Sequence, residues 1–175
     1  MTQKPQSENR RGGSTEDGLE RTARHWGATR SDATQTFWKA HPVVGRHVHR
    51  RVTGNPNKAT LPYIFDKYFP DGMDCGLSLA CGHGGLERQL IRRKWARQMH
   101  GLDISPDAID SAREKAKDLG LQENIEYRVE NFNTMTLPER HYDAVFSFSA
   151  SHHCAELEHL FGVIQSTLKD GGLFL

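Results

Sequence analysis

The chain has 175 residues, of which 23 are basic and 22 acidic, so its net charge of +1 points to no partner of either sign. That length suits one domain with a proper core and leaves two full domains cramped. No apolar run approaches the roughly 18 residues that span a bilayer, and the polar N-terminus lacks a signal-peptide core, so a cytoplasmic protein off the membrane is expected.

Hydrophobic residues are unevenly spread: only six fall within residues 1–35, which also carry Gly12-Gly13-Ser14 and no periodicity. That stretch reads as a disordered tail. Charge is segregated too. Residues 36–70 hold six Lys or Arg against Asp66 alone, a net +5, while residues 71–175 sum to −5. A basic segment therefore precedes an acidic domain.

Within the basic segment, Val44, Val48 and Val52 recur every four residues after Pro42, and Gly54-Asn55-Pro56-Asn57 ends the pattern. This predicts a short amphipathic helix with Arg46, Arg50 and Arg51 on its other faces, either a solvated face or a lid drawing in an acidic substrate. Phe37 and Trp38 read as its anchors on the core. A second helix is expected from Thr60, taken as its N-cap, with Leu61, Ile64, Phe65, Tyr68 and Phe69 as its apolar stripe.

From residue 76 onward, short apolar runs alternate with helical patterns, as in a parallel α/β sheet. The expected strands are Leu77 to Ala80, Gln98 to Asp103, Ile125 to Val129 and Tyr142 to Phe148. A helix from Gly85 to Lys94 follows the first. After the second, Ser105 caps a helix opened by Pro106, with Ala108, Ile109, Ala112, Ala116 and Leu119 inward and Gly120 as its stop. A later helix carries Leu157, Leu160, Phe161, Ile164 and Leu168 on one stripe. Gly171-Gly172-Leu173-Phe174-Leu175 reads as the opening of a fifth buried strand.

Three cysteines, Cys75, Cys81 and Cys154, make no disulfide framework and have no metal-type spacing, so free thiols are expected. His152, His153 and His159 come without a carboxylate-backed ligand set, so no metal is expected.

The chemistry gathers at Ala80-Cys81-Gly82-His83-Gly84-Gly85-Leu86-Glu87, a glycine-rich turn between strand and helix. Such a turn lets backbone amides approach a ligand at the helix N-terminus. A dinucleotide fingerprint would need a third glycine where Glu87 stands, and a carboxylate beside two phosphates would repel them. About 20 residues on, Asp103 ends strand two, where an acidic side chain accepts hydrogen bonds from both hydroxyls of a ribose. The expected ligand has a ribose and no diphosphate.

From about Phe37 to its end the chain resembles the class I S-adenosylmethionine-dependent methyltransferases of the bacterial small-molecule type. The matching stretches are Leu79-Ala80-Cys81-Gly82-His83-Gly84, Gly101-Leu102-Asp103-Ile104-Ser105, Leu137-Pro138 before Tyr142-Asp143-Ala144-Val145, His152-His153, and Leu168-Lys169-Asp170-Gly171-Gly172-Leu173. The resemblance implies a doubly wound Rossmann-like sheet of order 3-2-1-4-5 with a helical cap, normally extended by two strands that this chain is expected to lack. The division is a tail (1–35), a basic helical cap (36–70) and an incomplete cofactor domain (71–175).

By the same resemblance, Ala80, Cys81, Gly82, His83 and Gly84 cradle S-adenosylmethionine, Asp103 holds the ribose, and adenine lies between Ile104 and the loop after strand three. That loop offers Asn131, Phe132 and Asn133, with Asn131 preferred for the exocyclic amine. Ser149 faces the crevice, and His153 is the candidate base for a hydroxyl or amine acceptor. Ser78 stands where the family usually has an acid, and Ala80 where it usually has a glycine, so weakened cofactor binding is expected. The leading reading is methyl transfer to a small molecule. The competitors are a truncated, catalytically impaired binding module and a nicotinamide-dependent oxidoreductase. Nucleic acid is not an expected partner, since basic and aromatic residues do not interleave. Self-association through the open sheet edge is expected.

Overall fold

Alternating apolar runs and helical stripes fold into five parallel strands in the order β3-β2-β1-β4-β5, seen in a computed structural model describing residues 18, 20, 21, 23, 24, 41–148 and 150–175. The strands are β1 (Met73–Leu79), β2 (Ala96–Asp103), β3 (Ile125–Val129), β4 (Tyr142–Phe146) and β5 (Leu168–Phe174). The helices are α1 (Pro42–Thr53), α2 (Thr60–Tyr68), α3 (Gly85–Arg92), α4 (Pro106–Asp118) and α5 (Leu157–Thr167), with a 3-10 turn at Ser151–His153. The order 3-2-1-4-5 is the one expected, and it puts the chain reversal between β1 and β4.

A parallel sheet is stable only with both faces covered, and two cores do this. One holds Phe65, Leu90, Met99, Ile109 and Phe146; the other holds Leu77, Leu102, Met135, Val145 and Leu160. α2 is attached by Phe65, whose ring stacks on Trp95 at 4.6 Å. α1 packs against α2 and buries none of its own residues, with Val48 and Val52 each 45% exposed.

Several boundaries move for physical reasons. β1 starts at Met73, before the expected Leu77, because Met73 and Cys75 are buried on either side of exposed Asp74. Gly76 belongs in it because a Cβ there would sit 2.7 Å from the Met99 sulfur. Ala80 leaves the strand and turns at φ 52°. β4 ends at Phe146, and Phe148 is 56% exposed. Thr60 opens α2, but Ala59 takes the cap position and the Thr60 hydroxyl makes no hydrogen bond.

α4 forms as expected: the Ser105 hydroxyl accepts from the Ala108 amide and Pro106 takes the first turn. Leu119 ends that helix exposed rather than inward, and Gly120 follows at φ 68°. In α5, Leu160 and Ile164 are buried, whereas Leu157 and Phe161 lie at the surface, Phe161 edge-on to Phe174 of β5.

The segment read as a tail lies mostly outside the described residues; the five of its residues that are described are helical. Phe37 and Trp38 also lie outside them. Among the described residues, no helix is long and apolar enough to cross a membrane.

Asp143 ties three strands together. Its Oδ2 accepts from the Asp74 and Cys75 amides at 2.9 Å each, and its Oδ1 accepts from Lys169 Nζ at 2.8 Å. Ladder pairing of β1 with β4 begins only at Gly76, so the carboxylate satisfies two amides that the neighbouring strand leaves open.

Candidate functional site

The strand ends converge at the turn between β1 and α3. Gly82 and Gly84 turn left-handed, at φ 53° and 72°, and Ala80 does so without glycine's freedom. The first two glycines of the motif have different tasks. A Cβ on Gly82 would meet nothing within 4 Å, so its backbone fronts open space. A Cβ on Gly84 would lie 2.3 Å from the Tyr127 hydroxyl oxygen, and one on Gly101 would lie 2.6 Å from the Tyr127 ring.

Gly84 and Gly101 thus make room for Tyr127, whose hydroxyl donates to the Gly84 carbonyl at 3.1 Å. Burial pushes that phenol far up, with Glu87 adding to it, so it stays a donor. Tyr127 is in turn held by Arg113, whose guanidinium donates twice to its carbonyl. No local sequence pattern signals this arrangement, since Tyr127 lies 43 residues from Gly84.

Asp103 is 6% exposed and uses both oxygens: Oδ2 accepts from the Gly82 amide at 2.9 Å and Oδ1 from the Ser105 amide at 2.9 Å. The acid at the end of β2 therefore fixes the turn across from it and the start of α4 together. A carboxylate has about four acceptor positions, so two remain for hydroxyl donors. The Gly82 amide is committed to Asp103 and is not free for a ligand.

Around this clamp, Ile104 is half-buried, and the His83 carbonyl accepts from Arg88 at 2.6 Å. The Cys81 thiol is raised far by burial, with Glu87 and Asp103 adding to it, and stays protonated. Glu87 itself is fully buried between α3 and the sheet, and burial pushes its carboxyl toward the neutral form. The expected repulsion of a diphosphate by Glu87 does not hold, since the group faces inward. What opposes the dinucleotide fingerprint is steric: a long side chain fills the place where a third glycine brings helix and strand together.

The loop after β3 also departs from expectation. Asn131 Oδ1 accepts from the Asn133 amide and from its side-chain nitrogen, both at 3.0 Å, so its lone pairs are occupied within the turn. Asn133 Oδ1 accepts from the Ala155 and Glu156 amides at 2.9 and 3.0 Å and staples the segment leading into α5. Phe132 packs partly on the core. The acid this loop does carry is half-buried Glu130, whose Oε1 accepts from the Asn131 amide at 3.2 Å. Beyond β4, His153 stands exposed on the 3-10 turn with its ring 4.0 Å from that of His152, and the Ser147 and Ser151 hydroxyls meet at 2.7 Å. Ser149 lies outside the described residues. His159 Nε2 is engaged with the Met135 carbonyl at 2.9 Å, which removes it from any set with His152 and His153.

The sheet, the glycine turn after its first strand and the buried acid after its second define a class I methyltransferase fold. A methyltransferase-domain family model matches residues 77–172, more than half of the chain, and the chain belongs to that family. Sterol 24-C-methyltransferase ERG6B of Gibberella zeae is 31% identical over 98 residues, 56% of this chain and 26% of its own length. Malonyl-[acyl-carrier protein] O-methyltransferase 2 of Ilyobacter polytropus is 30% identical over 99 residues, 57% of this chain and 37% of its length. Among solved structures, an S-adenosylmethionine-dependent methyltransferase from Mesorhizobium loti superposes with TM-score 0.52 at 26% identity, covering 59% of this chain and 45% of its own. The chain thus spans about a quarter to two fifths of the length of these curated relatives.

Proposed function

We propose that the chain binds S-adenosylmethionine at the β1–α3 turn and directs its methyl group to a small-molecule acceptor in the crevice beyond β1 and β4. The observation that carries this reading is the buried Asp103 carboxylate, which locks the Gly82 amide while the backbone before it fronts open space. Ala80 and Gly82 would line the methionine side, Asp103 the ribose, and Ile104 with Glu130 and Asn131 the adenine. When bound, the cofactor supplies an electrophilic methyl on a sulfonium.

The chain's own task is alignment, because an in-line displacement needs positioning more than acid or base strength. Asp103 holds the turn in one geometry before ligand arrives. His153, exposed after β4, would take a proton from a hydroxyl or amine acceptor. The arginines of α1 favour an acidic acceptor. Ser78, 4% exposed, leaves no acid at the end of β1 for the cofactor's ammonium, so affinity falls below the family's norm.

Calorimetric titration with S-adenosylhomocysteine tests the reading, with NAD as the competing ligand. Saturable binding of the first, lost in Asp103→Ala, is expected. Binding of NAD with none of S-adenosylhomocysteine overturns the reading. Binding without turnover on any acceptor would leave a cofactor-binding module.

A further inference from the structure

Toward the other end of the strands, away from the glycine turn, the sheet gathers three donors that the cofactor reading does not use. Cys75 comes from β1, His100 from β2, and His141 immediately precedes β4. Each offers one ligating atom, and the three atoms lie within 4.8 Å of one another, the one such cluster among the described residues that could hold a metal ion. Cys75 Sγ is 3.9 Å from His141 Nε2.

We propose that Cys75, His100 and His141 form a zinc-binding site. One thiol and two imidazoles are a borderline-soft donor set, which suits zinc and does not suit magnesium or calcium. Tetrahedral zinc with ordinary bond lengths needs sulfur and nitrogen about 3.6 Å apart, and two nitrogens about 3.3 Å apart. The observed Cys75 to His141 spacing is a few tenths of an ångström from that, and the wider limit closes by side-chain rotation.

The surroundings are those of a supported site. Tyr142 places its hydroxyl 2.8 Å from His100 Nδ1 and stands edge-on to both imidazole rings, which fixes ring orientation from outside the donor set. Cys75 is 6% exposed, while His100 is half-buried, so one donor is withdrawn and the other side stays accessible. Glu126, whose Oε2 is 3.7 Å from His100 Nε2, can fill the fourth position, or water can. On binding, the sulfur–zinc bond forms as the Cys75 thiol proton leaves to solvent.

The test uses the full chain, reduced and stripped of metal with a chelator, and titrated with cobalt(II) alone. One equivalent should bind with a thiolate-to-cobalt charge-transfer band, and zinc should displace it. His141→Ala should weaken binding at least about tenfold, and Cys75→Ser should abolish the band. If Cys75→Ser does not fold, X-ray absorption at the zinc edge of the wild-type protein decides: one sulfur beside nitrogen neighbours supports the site, and a shell of light atoms alone overturns it. A band that survives in folded Cys75→Ser, and so arises from Cys81 or Cys154, overturns it too, as does the absence of stoichiometric binding.

Discussion

Replacing Asp103 by asparagine separates folding from binding at one atom. Asparagine keeps one acceptor and sets an amide NH2 where the second carboxylate oxygen accepted. It can serve either the Gly82 or the Ser105 amide, both now bonded at 2.9 Å, but not both. Charge-assisted bonds contribute about 1.5–3 kcal/mol each, and an orphaned buried donor costs about 1–3 kcal/mol, so the loss should be about 2–4 kcal/mol. With a slope near 1–3 kcal/mol per molar urea for a chain of this size, the unfolding midpoint should fall by about 1–2 M. The same variant should bind S-adenosylhomocysteine at least about tenfold more weakly, beyond what its unfolded fraction explains. Urea unfolding followed by circular dichroism, with calorimetry on the folded protein, measures both. A midpoint unchanged within about 0.3 M would refute the clamp. A lower midpoint with undiminished affinity would make Asp103 structural only.

The two glycines of the turn should separate in the same way. Gly84→Ala drives a methyl into the Tyr127 hydroxyl at φ 72° and should unfold the chain or cost about 3 kcal/mol or more, whereas Gly82→Ala meets open space and should cost about 1–2 kcal/mol while blocking ligand. Equal stability losses in the two would contradict the division. Asp143 is held below the usual carboxylate value: burial pushes it up, but Lys169 and the Cys75 and Asp74 amides outweigh that. Its stabilisation is therefore present above the unfolded value of 3.8 and is lost as pH falls through the folded one. Asp143→Asn should flatten the acid limb of the stability curve below about pH 4, and an unchanged limb would remove Asp143 as its source. Glu87 has the opposite sign. Its carboxyl is raised by burial, so folding is favoured below its unfolded value of 4.5 and stability declines as pH rises toward the folded one. Glu87→Gln should remove that decline in pH-dependent thermal melts; a steeper decline would mean that the ionised form is the stabilising one.

What the sequence made legible is what depends on local pattern. Ser105 and Pro106 open α4, Gly120 ends it, and the alternating stretch from Ile125 to Val129 is β3 to the residue, because caps, turns and strand patterns are written in neighbouring positions. The pairing of a glycine turn with an acid about 20 residues later was legible too, since two parallel strands place those positions side by side at their ends. Hidden were the contacts that need register between strands distant in sequence. Nothing near Gly84 announces Tyr127, 43 residues on, yet that ring dictates two of the glycines. Asn133 stands beside the preferred Asn131 as an alternative adenine acceptor until the fold brings the segment before α5 within 3.0 Å of it. Cys75 shows no metal spacing because its neighbours His100 and His141 arrive across the sheet rather than along the chain.

The same blindness explains the two departures of the glycine motif. Ser78 and Glu87 look like an acid missing and a glycine replaced, yet both are buried behind the turn, and neither oxygen of the Glu87 carboxyl has a hydrogen-bond partner. An acid at 78 would stand against Glu87 in a space with no room for solvent, and two carboxylates there could not both ionise. Ala80 keeps at φ 52° the turn that a glycine would make without strain. Ser78→Asp alone should therefore destabilise the fold and Ser78→Asp with Glu87→Gln should recover stability in urea unfolding, whereas equal midpoints for the single and double variants would refute the conflict between the two acids.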